Sequence, residues 1–423
     1  MLTAIKQPID FDFPHWRQTL LAIFLAALAI RGVFILTLQD GYYFPDSVSY
    51  SGAAVNLLTN GELGKAYNRP PGYPVFLAAI YLLFGNGIFA VRMVESVMGA
   101  LLAVVIAMIA RRIGGTTVGA LAGFLWSIYP IAVFITGLVY PTNLLTTLLA
   151  LGILCFVPKP GRDLLPKQVF LASSLWGLAT LTIPIVLVTV AAISAWLMYW
   201  GGVNRFRLVF ALILGASLTI LPWIIRDFYV YDRLVLVEPR ASAHLPRIRT
   251  ADKSIRDNKI EAILQYPAEY AQRMVGEFLH FWTLYPERIT MDKPGFRERM
   301  HEQDPRVVRN TIFTTNDLVK AVSILTTGSI FLFAIIGSAS MWFQQERRYD
   351  LSLLWTVILS FAIGYSLFYS KLRYRIPIEP YIMILSAYGL TKTWASLARH
   401  LAYATRAEET LKSKTEAELK RAS

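Results

Sequence analysis

Long apolar runs alternate along the chain with short polar or basic connectors. Windows such as LLAIFLAALAIRGVFILTL (20–38) and AVSILTTGSIFLFAIIGSASMWF (321–343) approach the ~20 apolar residues that cross ~30 Å of hydrocarbon. Such runs fit helices, because barrel strands alternate apolar and polar positions. The pattern predicts spans near 17–38, 89–110, 117–137, 141–157, 208–225, 320–342, 352–370 and 376–395. The run 169–200 has basic connectors at both ends, so it is expected to turn at Pro184 as two short spans, giving about ten in all.

The connectors ARRIGG (110–115), PKPGRDLLPKQ (158–168), GGVNRFR (201–207), QQERRYD (344–350) and the tail KSKTEAELKRAS are placed in the cytoplasm by the positive-inside rule. Both termini then lie inside, with 17–38 an uncleaved first helix. If 17–38 exits and 89–110 returns, the apolar run 74–85 cannot also cross. It is expected to lie at the outer interface, a depth that suits Tyr73 and Tyr81. The resulting division is an N-terminal transmembrane module 1–225 with a first outer loop 39–88, an outer insertion 226–319, C-terminal transmembrane helices 320–395 and a cytoplasmic tail 396–423.

Composition agrees with a polytopic membrane protein: of 423 residues, 55% are hydrophobic and 16% charged, outside the range of soluble domains. The formal charge of +13 would suggest nucleic acid in a soluble chain, but here it follows from topology. The segment 226–319 carries 15 Lys and Arg against 14 Asp and Glu, so the excess sits elsewhere. A lone cysteine, Cys155, excludes an internal disulfide and a Cys-based metal site. The chain has no phosphate-binding glycine loop, H-E-x-x-H or G-x-S-x-G.

Candidate chemistry gathers instead on one side. Asp46, in FPDSVSY, begins a short amphipathic helix that continues through Tyr50; it is either a helix cap or a carboxylate able to take a proton from an acceptor hydroxyl. Arg69 precedes Pro70 and Pro71, whose fixed backbone holds the guanidinium, and a planar fork of donors suits a phosphate. An interfacial snorkelling arginine is the competing reading. Lys371, Arg373 and Arg375 precede the last span on the outer face, against the usual bias, where an anionic head group gives them a reason. Arg226 ends another span and could join this basic pocket. Asn143 sits at the head of a span, where asparagine commonly serves the turn itself. Arg31, inside the first span, is by default a functional candidate but is read chiefly as pairing with a neighbouring helix or snorkelling.

The fragments DSVSYSGAA from Asp46, RPPGYPVFLA from Arg69, FG at 84–85, VR at 91–92, LPWIIR at 221–226 and RYRIPIEP from Arg373 together resemble the bacterial membrane glycosyltransferases related to protein O-mannosyltransferases and the lipid A aminoarabinose transferase. The resemblance runs from about residue 17 to 395. It implies an all-α C-type glycosyltransferase fold with interfacial helices in the first outer loop. It also implies inverting transfer from a polyprenyl-phosphate sugar, with Asp46 the general base or acceptor-orienting acid. Arg69 would contact the lipid phosphate, Arg373 and Arg375 would help to hold it, and Tyr50, Asn143 and Arg226 would support the site.

The chain departs from the pattern at Thr142-Asn143, where relatives usually carry an acid, at Ile183-Pro184, where they often carry Arg-Pro, and at Ser47, where Glu is frequent. No cofactor is demanded, and a divalent metal is left open. The expected partners are the lipid-linked donor, the bilayer and a lipid, glycan or protein acceptor, without nucleic acid, at the outer face of a bacterial inner membrane. A lipid-linked glycan polymerase or ligase, and a non-enzymatic lipid or sugar transporter, are the competing functions. A transporter would place its polar groups near the midplane.

Overall fold

Residues 15–64, 67–158, 163–232, 237, 259–285, 296–308 and 317–422 are described in a computed structural model. The N-terminal residues 1–14, part of the connector at 158–168 and much of 226–319 lie outside them. The described residues are helical without a named strand. In chain order the first helices are α1 (Trp16–Leu36), α2 (Pro45–Asn60), α3 (Gly72–Phe84), α4 (Ile88–Gly114), α5 (Thr116–Ile128) and α6 (Pro130–Phe134). Then come α7 (Thr142–Phe156), α8 (Pro166–Thr182), α9 (Val186–Trp200) and α10 (Arg205–Tyr231). The polar segment supplies α11 (Lys259–Gln265), α12 (Pro267–Phe281) and α13 (Phe296–Gln303), and the chain closes with α14 (Asp317–Trp342), α15 (Arg348–Ser366) and α16 (Glu379–Ala422).

Five of the described helices are each long and apolar enough to cross a membrane, or six if the bent pair at 116–137 is one span. This is a multi-pass membrane protein. The α3 helix has 13 residues, about 20 Å at 1.5 Å per residue, short of the ~30 Å of hydrocarbon. The expected turn at Pro184 is present between α8 and α9. The last helix runs unbroken from Glu379 to Ala422, so the boundary expected at 395 falls inside one helix.

The expected single helix over 117–137 is instead broken, with a 58° bend between Thr116–Ile128 and Pro130–Gly137. Proline has no N–H to donate and pushes the preceding residue out of the helical region; Tyr129 is accordingly extended at φ −67°, ψ 117°. The break frees carbonyls in an apolar setting, and Arg31 fills the gap. Its guanidinium donates to Ser127 O and Ala27 O at 3.2 Å and to Ala132 O at 3.5 Å. Arg31 thus serves the neighbouring helices.

The main core lies among the long helices, around Trp126, Phe156 and Trp176. Glycines permit the closest crossing: a Cβ on Gly337 would strike Leu385 O, and one on Gly389 would strike Phe333 O, so α14 and α16 meet backbone to backbone. A second core is rich in tyrosine and includes Tyr42, Tyr50, Tyr73, Tyr81 and Tyr140. It lies under α2 and α3, and the candidate chemistry is built on it.

Candidate active site

Asp46 lies in the first turn of α2, where Pro45 is pre-set for a helix start. Phe44 takes the N-cap position and no side chain caps the helix, so the Asp46 carboxylate is not used as the cap. Arg69 donates from Nη2 to Asp46 Oδ1 at 2.8 Å, and the Tyr140 hydroxyl donates to Oδ2 at 2.9 Å. Tyr50, one helical turn beyond Asp46, sets its ring 5.3 Å beneath the Arg69 guanidinium. The proline mount of Arg69 is fixed in turn by the Tyr67 hydroxyl, which donates to Pro70 O at 2.9 Å.

Arg373 enters from the short 3-10 turn Leu372–Tyr374. Its Nη2 is 3.9 Å from Asp46 Oδ2, and the guanidinium lies 4.9 Å over the Tyr140 ring. Its buried Nε has no hydrogen-bond partner among the described residues. Tyr374 stacks flat on Tyr365 of α15, with centroids 4.4 Å apart and planes within 4°, which fixes the turn. The side chains of Asp46, Arg69 and Arg373 remain 32%, 32% and 29% exposed, so a ligand can reach them.

Two guanidinium groups face one carboxylate, leaving net positive charge. Burial pushes the Asp46 carboxyl up, but the hydrogen bond and charge of Arg69, the charge of Arg373 and the Tyr140 hydrogen bond outweigh it. The carboxyl is therefore held below the usual carboxylate range. Burial also pushes the Tyr50 phenol up and that of Tyr140 well up, so both stay neutral, Tyr140 donating to Asp46 and Tyr50 accepting from Arg69 Nη1 at 3.5 Å.

The turn before Tyr140 is strained. Val139 has φ +53°, an unusual conformation for a β-branched residue, costing about 1–3 kcal/mol. Ser47 on α2 donates to Leu138 O at 3.1 Å, and Arg92 on α4 donates to Gly137 O at 3.0 Å. Arg92 also reaches Gln39 O at 2.9 Å and Gly41 O at 2.8 Å, so one buried guanidinium ties the loop after α1 to this turn. Glu95, one turn further along α4 and fully buried, accepts from Tyr73 Oη at 2.8 Å and Asn143 Nδ2 at 2.7 Å.

Asp46, Tyr50, Arg69 and Arg373 therefore meet, and Asn143 lies one layer behind them through Glu95. Arg375 does not join them. It is fully buried, donates to Glu379 at 2.9 Å, and caps carbonyls at the end of α12, Phe281 O at 3.3 Å and Thr283 O at 2.5 Å. Arg226 pairs with its neighbour Asp227 at 2.7 Å and lies 4.6 Å over the Trp223 ring.

The polar segment is fastened to the same region. Tyr42 N donates to Arg306 O at 2.8 Å and Val308 N donates to Tyr42 O at 2.9 Å, as a parallel bridge. Tyr270 of α12 donates to Leu367 O at 2.7 Å, and Glu277 accepts from Ser370 N at 2.8 Å, bracing the segment that leads to Arg373.

Sequence reasoning passed over Tyr140, Glu95 and the positioning role of Arg92. Glu95 left a usable signal, an acid inside an apolar run, which is costly in a span without a purpose. As for a metal, no group of three or more His, Cys, Asp or Glu among the described residues is placed to hold one. Both oxygens of Asp46 are engaged by donors and a second guanidinium stands beside them, a donor set that fits an anion.

The family model for dolichyl-phosphate-mannose-protein mannosyltransferase matches residues 68–225. Comparison with curated proteins gives no match. Among solved structures the chain is similar to the Archaeoglobus fulgidus oligosaccharyltransferase in the apo form, with 13% identity, a TM-score of 0.58, and coverage of 93% of this chain and 52% of that one. It is also similar to ArnT from Cupriavidus metallidurans bound to undecaprenyl phosphate, with 15% identity, a TM-score of 0.53, and coverage of 93% and 63%. A complex of the archaeal oligosaccharyltransferase AglB with an inhibitory peptide and a dolichol-phosphate matches with 12% identity, a TM-score of 0.52, and coverage of 92% and 52%. The chain thus spans between half and two-thirds of the length of these proteins. The likeness is one of fold, that of the C-type membrane glycosyltransferases.

Proposed function

We propose that the protein is an inverting glycosyltransferase that moves one sugar from a polyprenyl monophosphate carrier to a lipid, glycan or protein acceptor. The observation that carries this reading is the bracketing of the Asp46 carboxylate by Arg69 and Arg373, two cations from distant parts of the chain. The matches to ArnT bound to undecaprenyl phosphate and to AglB with a dolichol-phosphate support a lipid phosphate as the anion.

In this mechanism the carrier phosphate lies against Arg69 and Arg373. The acceptor oxygen or nitrogen attacks the anomeric carbon from the opposite side, its bond forms as the bond to the phosphate oxygen breaks, and its proton passes to Asp46. The lipid phosphate departs with a negative charge that the two guanidinium groups stabilise. A carboxylate held below its usual range is a weak base. Incoming phosphate competes for Arg69, and the carboxylate released from that pair becomes more basic when the donor is bound.

The direction of α4 supports a sidedness for the site. Arg92 and Glu95 by the site lie near its start, while Arg111 and Arg112 lie in its last turn, beside Arg347, which donates to Ile113 O. The basic connectors therefore lie at the far end of α4 from the site, which supports an outer-face site in a bacterial inner membrane. The experiment is transfer by the purified protein in lipid nanodiscs, with labelled polyprenyl monophosphate sugars beside diphosphate-linked glycans. The monophosphate donors are expected to turn over. Turnover from diphosphate donors alone would favour a polymerase or ligase, and none from either donor class would contradict the proposal.

A further inference from the structure

Glu95 has no place in that mechanism, yet its setting is costly. It is fully buried in α4, and no ion pair reaches it among the described residues. A buried carboxylate is expensive unless hydrogen bonds satisfy it. Its two oxygens are divided between two partners: Oε1 accepts from Tyr73 Oη at 2.8 Å and Oε2 from Asn143 Nδ2 at 2.7 Å. Asn143 also donates to the Glu95 backbone carbonyl at 2.9 Å.

The partners belong to the two segments that flank Asp46. Tyr73 is four residues beyond Arg69, at the start of α3, and Asn143 is three residues beyond Tyr140, at the start of α7. Tyr50 fits between these segments, edge-on to Tyr73 at 5.4 Å and to Tyr140 at 5.9 Å. Gly72 fixes the other side of α3, since a Cβ there would come within 2.8 Å of Leu181 O. Glu95 is thus bonded to both the segment that carries Arg69 and the segment that carries Tyr140.

We infer that Glu95 is a positioning residue, a buried clamp that holds the Arg69-bearing and Tyr140-bearing segments at the separation that lets both grip Asp46. The inference rests on the glycosyltransferase reading and adds a residue to its site. The clamp needs two hydrogen bonds and not a charge. A glutamine keeps both, its oxygen toward Asn143 and its amide toward Tyr73 Oη, which can accept as well as donate. A leucine of similar volume keeps neither, leaving the Tyr73 hydroxyl without its acceptor and Asn143 with only its bond to the backbone carbonyl.

The test compares wild type, Glu95→Leu, Glu95→Gln and Tyr73→Phe in nanodiscs, with thermal unfolding, kcat, KM for a polyprenyl monophosphate sugar, and the pH dependence of the rate. Glu95→Leu is expected to lower kcat by about tenfold or more, as misplacement around a reacting group does, and Glu95→Gln to restore most of that rate. In Glu95→Leu the acid-side fall in activity moves to higher pH, because Asp46 is gripped less tightly by its donors; a purely structural role would leave that limb in place. Should Glu95→Leu fail to fold, Tyr73→Phe, which removes one oxygen, is expected to show the same loss and shift in smaller measure. A folded Glu95→Leu, or a Tyr73→Phe, with wild-type kcat and pH limb overturns the inference while leaving the glycosyltransferase reading intact. A wild type inactive with every donor overturns both.

Discussion

Arg69 and Asp46, 23 residues apart in sequence, meet at 2.8 Å on the exposed edge of a tyrosine core. The pair is half-exposed, and such pairs contribute only ~0.2–1 kcal/mol to stability. In the proposed mechanism its value is the placement of a cation and a base where a third group, Arg373, would complete a pocket for an anion. Partial exposure would also let the proposed carrier phosphate compete for Arg69.

Arg69→Lys keeps the charge but loses the fork of donors that can serve Asp46 and a phosphate together. KM for a polyprenyl monophosphate donor is expected to rise about tenfold or more, with little change in thermal unfolding. Donor titration of the variant in nanodiscs checks this.

Tyr140→Phe removes a hydrogen bond that helps to hold Asp46 low. The folded-state pKa then moves up, toward the ordinary ~3.9. Activity that needs the carboxylate is lost at a higher pH on the acid side. Stability follows the same sign: a depressed folded-state pKa contributes above the unfolded value and the contribution is lost as pH falls through the folded one, so the variant has a narrower window. Rate and unfolding measured from pH 3 upward, on the order of the ordinary carboxylate range, test both.

Arg375→Ala should destabilise the protein and not merely weaken donor binding. It would leave the buried Glu379 without its partner and two carbonyls at the end of α12 uncapped. Breaking a buried pair from one side costs about 3–5 kcal/mol. Thermal melting of Arg375→Ala beside Arg373→Ala separates the roles, since the Arg373 change should spare stability and reduce transfer.

Gly72→Ala drives a methyl group toward Thr182 Oγ1 at 2.7 Å and Leu181 O at 2.8 Å. The carbonyl belongs to α8 and cannot swing aside as a side chain would, so α3 must shift. Overpacking of this kind costs about 1–3 kcal/mol, and the Arg69 mount moves with α3. A lower melting temperature together with a reduced transfer rate is the expected result.

Much of the fold was legible in the sequence because span length and Lys/Arg bias are local signals. They placed 74–85 as a non-crossing helix and the turn at Pro184, and α3 and the α8–α9 turn lie there. The bend at Pro130 was missed because its apolar flanks read as one run; the carbonyls freed there are served by Arg31, a residue nearly a hundred positions away. Asp46, Arg69 and Arg373 stood out by charge in apolar surroundings. Arg375 carried the same signal and went elsewhere, because residues two apart in a tight 3-10 turn point to different neighbours. Tyr140 gave no signal, since its role comes from the φ of Val139 and the hold of Ser47 and Arg92 on the turn.

The most direct test of the central claim is transfer by Asp46→Asn. The amide preserves shape, its oxygen can still accept from Arg69 and its Nδ2 can donate to the Tyr140 hydroxyl, but it cannot take the acceptor proton. Rates are compared at equal folded protein, with donor binding measured on the same samples. The account predicts a loss of about a hundredfold or more with donor binding retained. Wild-type transfer by Asp46→Asn would contradict it and reduce Asp46 to a partner that holds Arg69 in place.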